Sequence, residues 1–176
     1  MLYLSLNLPT VSFEEAKFLS YGIEAYLLSE LVLFSAKTRK RIKSDRKLYI
    51  VDNGFFNAKN IGVSENYGKL LENLVFCELR SRGYRANQTL FYYETASKFE
   101  VDFLLRTGHE HQELIQVAYS LGSLKTRERE CRALAQAAEE LKLDKLTILT
   151  LNEESVASYE GKIFEIKPIH RWLVET

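Results

Sequence analysis

A chain of 176 residues, 46% hydrophobic and 27% charged, is long enough for one domain with a sizeable core and too apolar to be disordered. Its 24 Lys and Arg balance 24 Asp and Glu, so no global field draws it to nucleic acid, and any such attraction must come from a local patch. No apolar run reaches the roughly 18 residues of a membrane span, no basic segment precedes the apolar start, and Cys77 and Cys131 lack a metal or redox spacing; the expectation is a cytoplasmic protein with reduced thiols and no membrane partner.

In chain order, MLYLSLNL is apolar on alternate residues and ended by Pro9, which reads as an edge strand or the remnant of a preceding element. Ser12 and Glu15 form a capping box, and Ala16, Leu19, Ile23 and Leu27 continue at helical spacing, predicting a helix over about 13–28. After the apolar run Leu31 to Phe34 comes AKTRKRIKSDRK, where Lys37, Arg39, Lys40, Arg41, Lys43, Arg46 and Lys47 meet the single acid Asp45. This run is either a phosphate-contacting loop or hairpin, or a solvated turn whose charge docks on an acidic protein. Without interleaved aromatics it gives no sign of base recognition. KLYIVDNG then predicts a buried strand, Leu48 to Val51, stopped by an Asp-Asn-Gly turn.

The stretch 53–68 reads as polar and irregular, and YGKLLENLVFCELRSRG as a helix closed by Gly83, with Leu70, Leu71, Leu74, Val75 and Leu79 as its core stripe. Glu72 lies beside that stripe, where a carboxylate either forms a surface ion pair or reaches across to a neighbouring strand. TLFYYET predicts a strand, and FEVDFLLRTGHEHQELIQVAYS a β-hairpin turning near Gly108. If Leu104 faces Leu114, Asp102 opposes Gln116, and strict alternation places Glu100, Asp102, Gln116 and Ala118 on one face, with Val101, Phe103, Ile115 and Val117 on the core face. His109 and His111 fall in the turn and read as exposed, a weak signal for zinc. TRERECRALAQAAEELKLD reads as a helix capped by Thr126, followed by the buried strand KLTILTL, which together form a βαβ unit with a parallel strand pair. A last strand, KIFEIKP, ends at Pro168, and Trp172 is expected to pack an edge.

The order of helix with Glu72, hairpin with Asp102 and then Gln116-Val-Ala118, crossover helix and buried strand resembles the restriction-endonuclease-like fold. More narrowly, KLYIVDNGF, YGKLLENLVFCELRSRGY, EVDFLLR and ELIQVAYSL with TRERE resemble the C-terminal domain, of no established function, in a family of prokaryotic, especially archaeal, AAA+-type ATPases. The resemblance implies an α/β fold, a restriction-endonuclease-like mixed sheet with flanking helices, over residues 48–176, with residues 1–47 as an N-terminal helical segment and basic linker packed on it. It implies a detached or truncated C-terminal part, and with no GxxxxGK[ST] segment present, ATP hydrolysis by that route is excluded.

In a site of that kind, Glu72, Asp102 and Gln116 would hold Mg²⁺, and a lysine at position 118 would orient the attacking water. Here position 116 is a neutral amide and position 118 an alanine, leaving Lys98 or Lys125 as possible migrated substitutes. The expectation is therefore a degenerate, non-catalytic nuclease-like module that binds nucleic acid, weakly and without sequence preference, or a protein or a second copy of itself, and that requires no cofactor. Two alternatives stand beside it: a Mg²⁺-dependent DNA endonuclease using Glu72, Asp102 and Gln116, and a regulatory or structural docking module that binds no nucleic acid.

Overall fold

The computed structural model describes residues 5–6, 13–54, 67–108 and 110–175. Ser12 of the expected capping box, most of the stretch 53–68 and His109 lie outside the described residues. Helix α1 (Phe13–Glu24) stops short of residue 28, because Tyr26 turns left-handed at φ 59° and Leu28 already belongs to a strand. Strands β1 (Ser5–Leu6), β2 (Leu28–Leu31) and β3 (Arg46–Ile50) form a small antiparallel sheet in the order β1-β3-β2. Between β2 and β3 the basic run is neither a turn nor a hairpin but a short exposed helix, α2 (Thr38–Lys43). Lys and Arg are good helix formers, yet with no apolar stripe they leave no periodic signal. The expected division after residue 47 falls inside β3, whose side chains enter the main core.

Helix α3 (Tyr67–Ser81) ends as its sequence predicts, with Gly83 left-handed at φ 92°. Its inner side carries Leu71, Val75, Phe76 and Leu79, and also Asn73, which is fully buried. The Asn73 carboxamide accepts from the backbone N–H of Ile50 and donates to its carbonyl, both at 2.9 Å. One side chain thereby stands in for a missing ladder partner of β3 and fastens that strand to α3.

The main sheet is mixed and six-stranded, built from β4 (Leu90–Glu94), β5 (Glu100–Thr107), β6 (Glu110–Val117), β7 (Leu146–Thr150), β8 (Ser155–Tyr159) and β9 (Lys162–Pro168) in the order β4-β5-β6-β7-β9-β8. The sequence pattern predicts four or five strands; the extra one is β8, joined to β9 by the left-handed pair Glu160 and Gly161, a two-residue hairpin turn. Helix α4 (Leu124–Leu141) connects β6 to the parallel strand β7, as the βαβ pattern requires, with Ser123 rather than Thr126 at its N-cap. Helix α5 (Ile169–Val174) closes the chain. Among the described residues no helix is long and apolar enough to cross a membrane.

Both faces of the sheet are core. Leu104, Leu114, Leu134, Ile148 and Phe164 pack under α4, while Tyr49, Val75, Phe76, Phe103, Ile115 and Leu149 pack under α3. The hairpin therefore has no open polar face of the kind strict alternation suggests. Trp172 lies in the α3-side core rather than at an edge, with the Arg82 guanidinium 4.2 Å from its ring centroid. His111 is half-buried with its ring edge-on to Phe34 at 4.8 Å, not exposed, and burial beside Arg106 holds its pKa below the ordinary value.

Asn73→Ala should lower stability by about 1–3 kcal/mol, the cost of leaving a buried backbone group of β3 unpaired. Chemical denaturation of the parent and the variant measures it, and an unchanged midpoint would show that β3 does not depend on this strut.

Candidate functional site: a lysine among three carboxylates

Leu104 pairs with Leu114 and Phe103 with Ile115, the register read from the sequence. The surprise lies on the other side of β5. Phe91 pairs with Leu104 but Tyr93 pairs with Val101, so two steps along β4 span three along β5. This β-bulge turns Asp102 to the same side as Phe103, under α3, and sends Val101 with Leu104 under α4. Alternation alone puts Asp102 and Gln116 together; the bulge separates them.

On the α3 side, β3 delivers Lys47 into a nest of acids. Its Nζ donates to Asp102 Oδ1 at 2.7 Å, to Glu72 Oε1 at 2.9 Å and pairs with Glu100 Oε1 at 2.9 Å. Two residues on, and so on the same face of β3, Tyr49 donates its hydroxyl to Glu72 Oε1 at 2.7 Å. The second Asp102 oxygen accepts the Val117 N–H at 2.9 Å. Lys47 is only 7% exposed. The three acids hold it as an ammonium, its pKa raised well above the ordinary value despite the opposing effect of burial. Burial, with Glu72 alongside, pushes Asp102 up to about 7, against the pull of Lys47 and the Val117 N–H. Burial and the Glu72 carboxylate push the Tyr49 hydroxyl well up, so it remains a donor.

On the α4 side, Gln116 does different work. Its Oε1 accepts the Asp102 N–H at 3.2 Å and its Nε2 donates to Glu130 Oε2 at 2.8 Å. Glu130 is 4% exposed and is also paired with Arg129. The amide fills the gap that the bulge opens in the ladder, and a carboxylate there could not donate to Glu130. Ala118 lies in the same α4-side core, so a lysine at that position would point away from Asp102.

Of the residues that the sequence proposes for a metal site, Glu72 and Asp102 come together and Gln116 does not join them. The space between the two carboxylates is taken by the Lys47 ammonium, so a hard cation does not fit the arrangement as it stands. Among the described residues no three His, Cys, Asp or Glu side chains form a metal-holding group. Neither suggested migrated lysine reaches the acids: Lys98 pairs with Glu94 at 2.9 Å and Lys125 stands exposed in the first turn of α4. The lysine that does reach them is Lys47, which sequence reading assigns to phosphate contact. Its signal is its place in β3, one residue before the apolar run LYI, with a buried Tyr two residues on.

The rest of the basic run divides as well. Arg46 is tied to Glu30 at 2.6 Å. Lys37, Arg39, Lys40 and Lys43 line a cleft of about 580 Å³, with Lys98, Glu94 and Glu100 among its other walls, and Lys40 is paired with Glu94 at 3.3 Å. Arg41 is not part of that lining. Glu100 belongs to both places, lining the cleft and pairing with Lys47.

A family model described as Domain of unknown function (DUF4143) matches residues 67–172, which span α3 through α5. The chain is 41% identical over 161 residues to the uncharacterized protein MJ1544 of Methanocaldococcus jannaschii, an alignment covering 88% of this chain and 35% of that protein. It is 31% identical over 117 residues to an uncharacterized protein of Haemophilus influenzae, covering 66% of this chain and 28% of that one. The chain thus spans about a third of the length of these relatives. No solved structure matches it.

Lys47→Met should cost about 3–5 kcal/mol near neutral pH, because it leaves three acids together without their cation. The deficit should shrink as pH falls. A proton on Asp102 is held more tightly in the folded state than in the unfolded chain, so its stabilising contribution is complete below about pH 4 and is lost as pH rises through about 7. Denaturant titrations of parent and variant across that range check both statements. A second expectation concerns position 116: Gln116→Glu should destabilise by about 1–3 kcal/mol, since it sets a carboxylate against Glu130 and removes a buried donor. An equal or higher unfolding midpoint would refute the assigned role of the amide.

Proposed function

The chain belongs to the DUF4143 family, and from that premise and the site geometry we propose that it is a restriction-endonuclease-like module that binds a nucleic-acid backbone along the α2 cleft without cutting it. The observation that carries this reading is the shared position of Glu100, which places the basic cleft and the carboxylate cluster on one side of the molecule. Support for the fold likeness comes from the element order: helix with Glu72, antiparallel hairpin with Asp102 on its first strand, crossover helix, parallel strand. Support for binding comes from five cations against the three acids Asp45, Glu94 and Glu100 around an open cleft on a protein of zero net charge, a local basic excess from which counterion release would draw affinity. Support for the absence of cutting comes from Lys47 lying where a cation would have to sit, and from Gln116 being committed to Glu130.

One observation favours cleavage instead. The Lys47 ammonium, between Glu72 and Asp102, supplies the cation that position 118 lacks. Incubation with supercoiled, linear and branched DNA and Mg²⁺ or Mn²⁺ separates the two readings, provided that Asp102→Ala is purified in parallel. Turnover by the parent that vanishes in the variant would establish a nuclease, whereas cleavage shared by both would mark a contaminant.

Duplex DNA should bind weakly, without sequence preference and with steep loss on adding salt. Replacing Lys37, Arg39, Lys40 and Lys43 together by Ala should lower affinity at low salt by about tenfold or more and flatten the salt dependence by about 0.9 in slope per lost phosphate contact. Fluorescence anisotropy at several salt concentrations reads both. Binding that survives the fourfold substitution unchanged would assign the cleft to protein docking.

A further inference from the structure

Strand order places three features side by side along one end of the main sheet. Glu94 ends β4 and pairs with Glu100, which begins β5; antiparallel to β5, β6 finishes at Val117 on the same end. The α2 cleft opens at β4 and β5, the Lys47 cluster sits at β5, and beyond it, two residues past the Val117 that holds Asp102, stands Tyr119. Cleft and tyrosine thus belong to the same end of the sheet, the one at β4 and β5 and the other just past the end of β6.

Tyr119 is stacked on Tyr67, their ring centroids 5.3 Å apart and their planes 25° apart. Tyr67 opens α3, five residues before Glu72 and so roughly 7.5 Å from it along the helix axis. Each ring remains substantially open, at 40% and 44% exposure, and neither belongs to the core on either side of the sheet. A tyrosine pair serving only to pack would be expected to bury its faces against one of those cores. The basic run itself has no aromatics with which to stack a base; the fold brings them from α3 and from the end of β6.

Resting on the cleft reading above, we infer that the bound nucleic acid is single-stranded: its phosphates lie on the α2 lysines and an unpaired base stacks on the Tyr67–Tyr119 pair. Aromatic faces beside a basic groove are the general means of holding unpaired strands without sequence preference, because every base has a π-face and a duplex keeps its bases stacked inside. The strand would pass over the Lys47 cluster, whose one cation and three acids offer a phosphate little attraction, so affinity arises at the two flanks.

The test compares binding of oligo(dT) with that of a duplex of equal length, by anisotropy, for the parent, the double variant Tyr67→Leu/Tyr119→Leu, the double variant Tyr67→Phe/Tyr119→Phe and the fourfold cleft variant. Circular dichroism and thermal melts establish that each is folded. The parent should prefer oligo(dT). The leucine pair should bind oligo(dT) about fivefold or more weakly, the scale of one lost base stack, with duplex affinity unchanged. The phenylalanine pair, which keeps the ring faces, should restore it. A leucine pair that binds oligo(dT) like the parent, or a parent that prefers duplex, would overturn the inference while leaving the cleft in place if the fourfold variant still loses both ligands. A fourfold variant that loses neither would overturn the cleft reading itself, and the inference with it. Should the leucine pair unfold, the phenylalanine pair and the parent's preference decide: equal affinity for the two ligands in both proteins would overturn the stacking role.

Discussion

Everything at the candidate site depends on one buried ammonium. Lys47 holds three carboxylates that would otherwise repel one another, and they come from two separate elements of the fold: Glu72 from α3, Glu100 and Asp102 from a bulged strand. A buried ion pair is seldom a net gain over apolar packing, because desolvation offsets much of the attraction. What it does provide is a geometric demand. Strand β3 must lie where Lys47 can reach, which is why Asn73 and Tyr49 both tie that strand to α3 within one helical turn of Glu72.

The hairpin was legible in the sequence because two apolar runs around a glycine turn leave little freedom, and even the Leu104–Leu114 register follows from them. The bulge was not, since it is a mismatch between β4 and β5 and neither strand carries it alone. Strict alternation therefore placed Asp102 with Gln116, and the metal site built on that pairing came apart. Lys47 was hidden for a different reason: among seven cations in eleven residues, composition gives no means of telling the one that is buried. Helix α2 has no apolar period to read, whereas β8 carries a signal in its Glu160–Gly161 turn.

The amide at position 116 illustrates how a residue can look like a degenerate ligand and be a structural part. As a neutral group it bridges a backbone N–H of β5 and the buried acid Glu130, joining that strand to α4 through the gap in the ladder. A carboxylate would satisfy the first partner and oppose the second. A neutral amide at this position thus suits what lies behind it, on α4.

The strand order also leaves the main sheet with unlike margins. Along β4, the chain at residues 32–34 runs alongside, giving Tyr92 a donor in Phe34 and an acceptor in Val32. Strand β8, at the other limit, has β9 on one side and, among the described residues, no further ladder on the other. Among the described residues β8 is thus the open margin, on the far side of β7 and β9 from Lys47, and a strand added there would lengthen the sheet without disturbing the charged cluster.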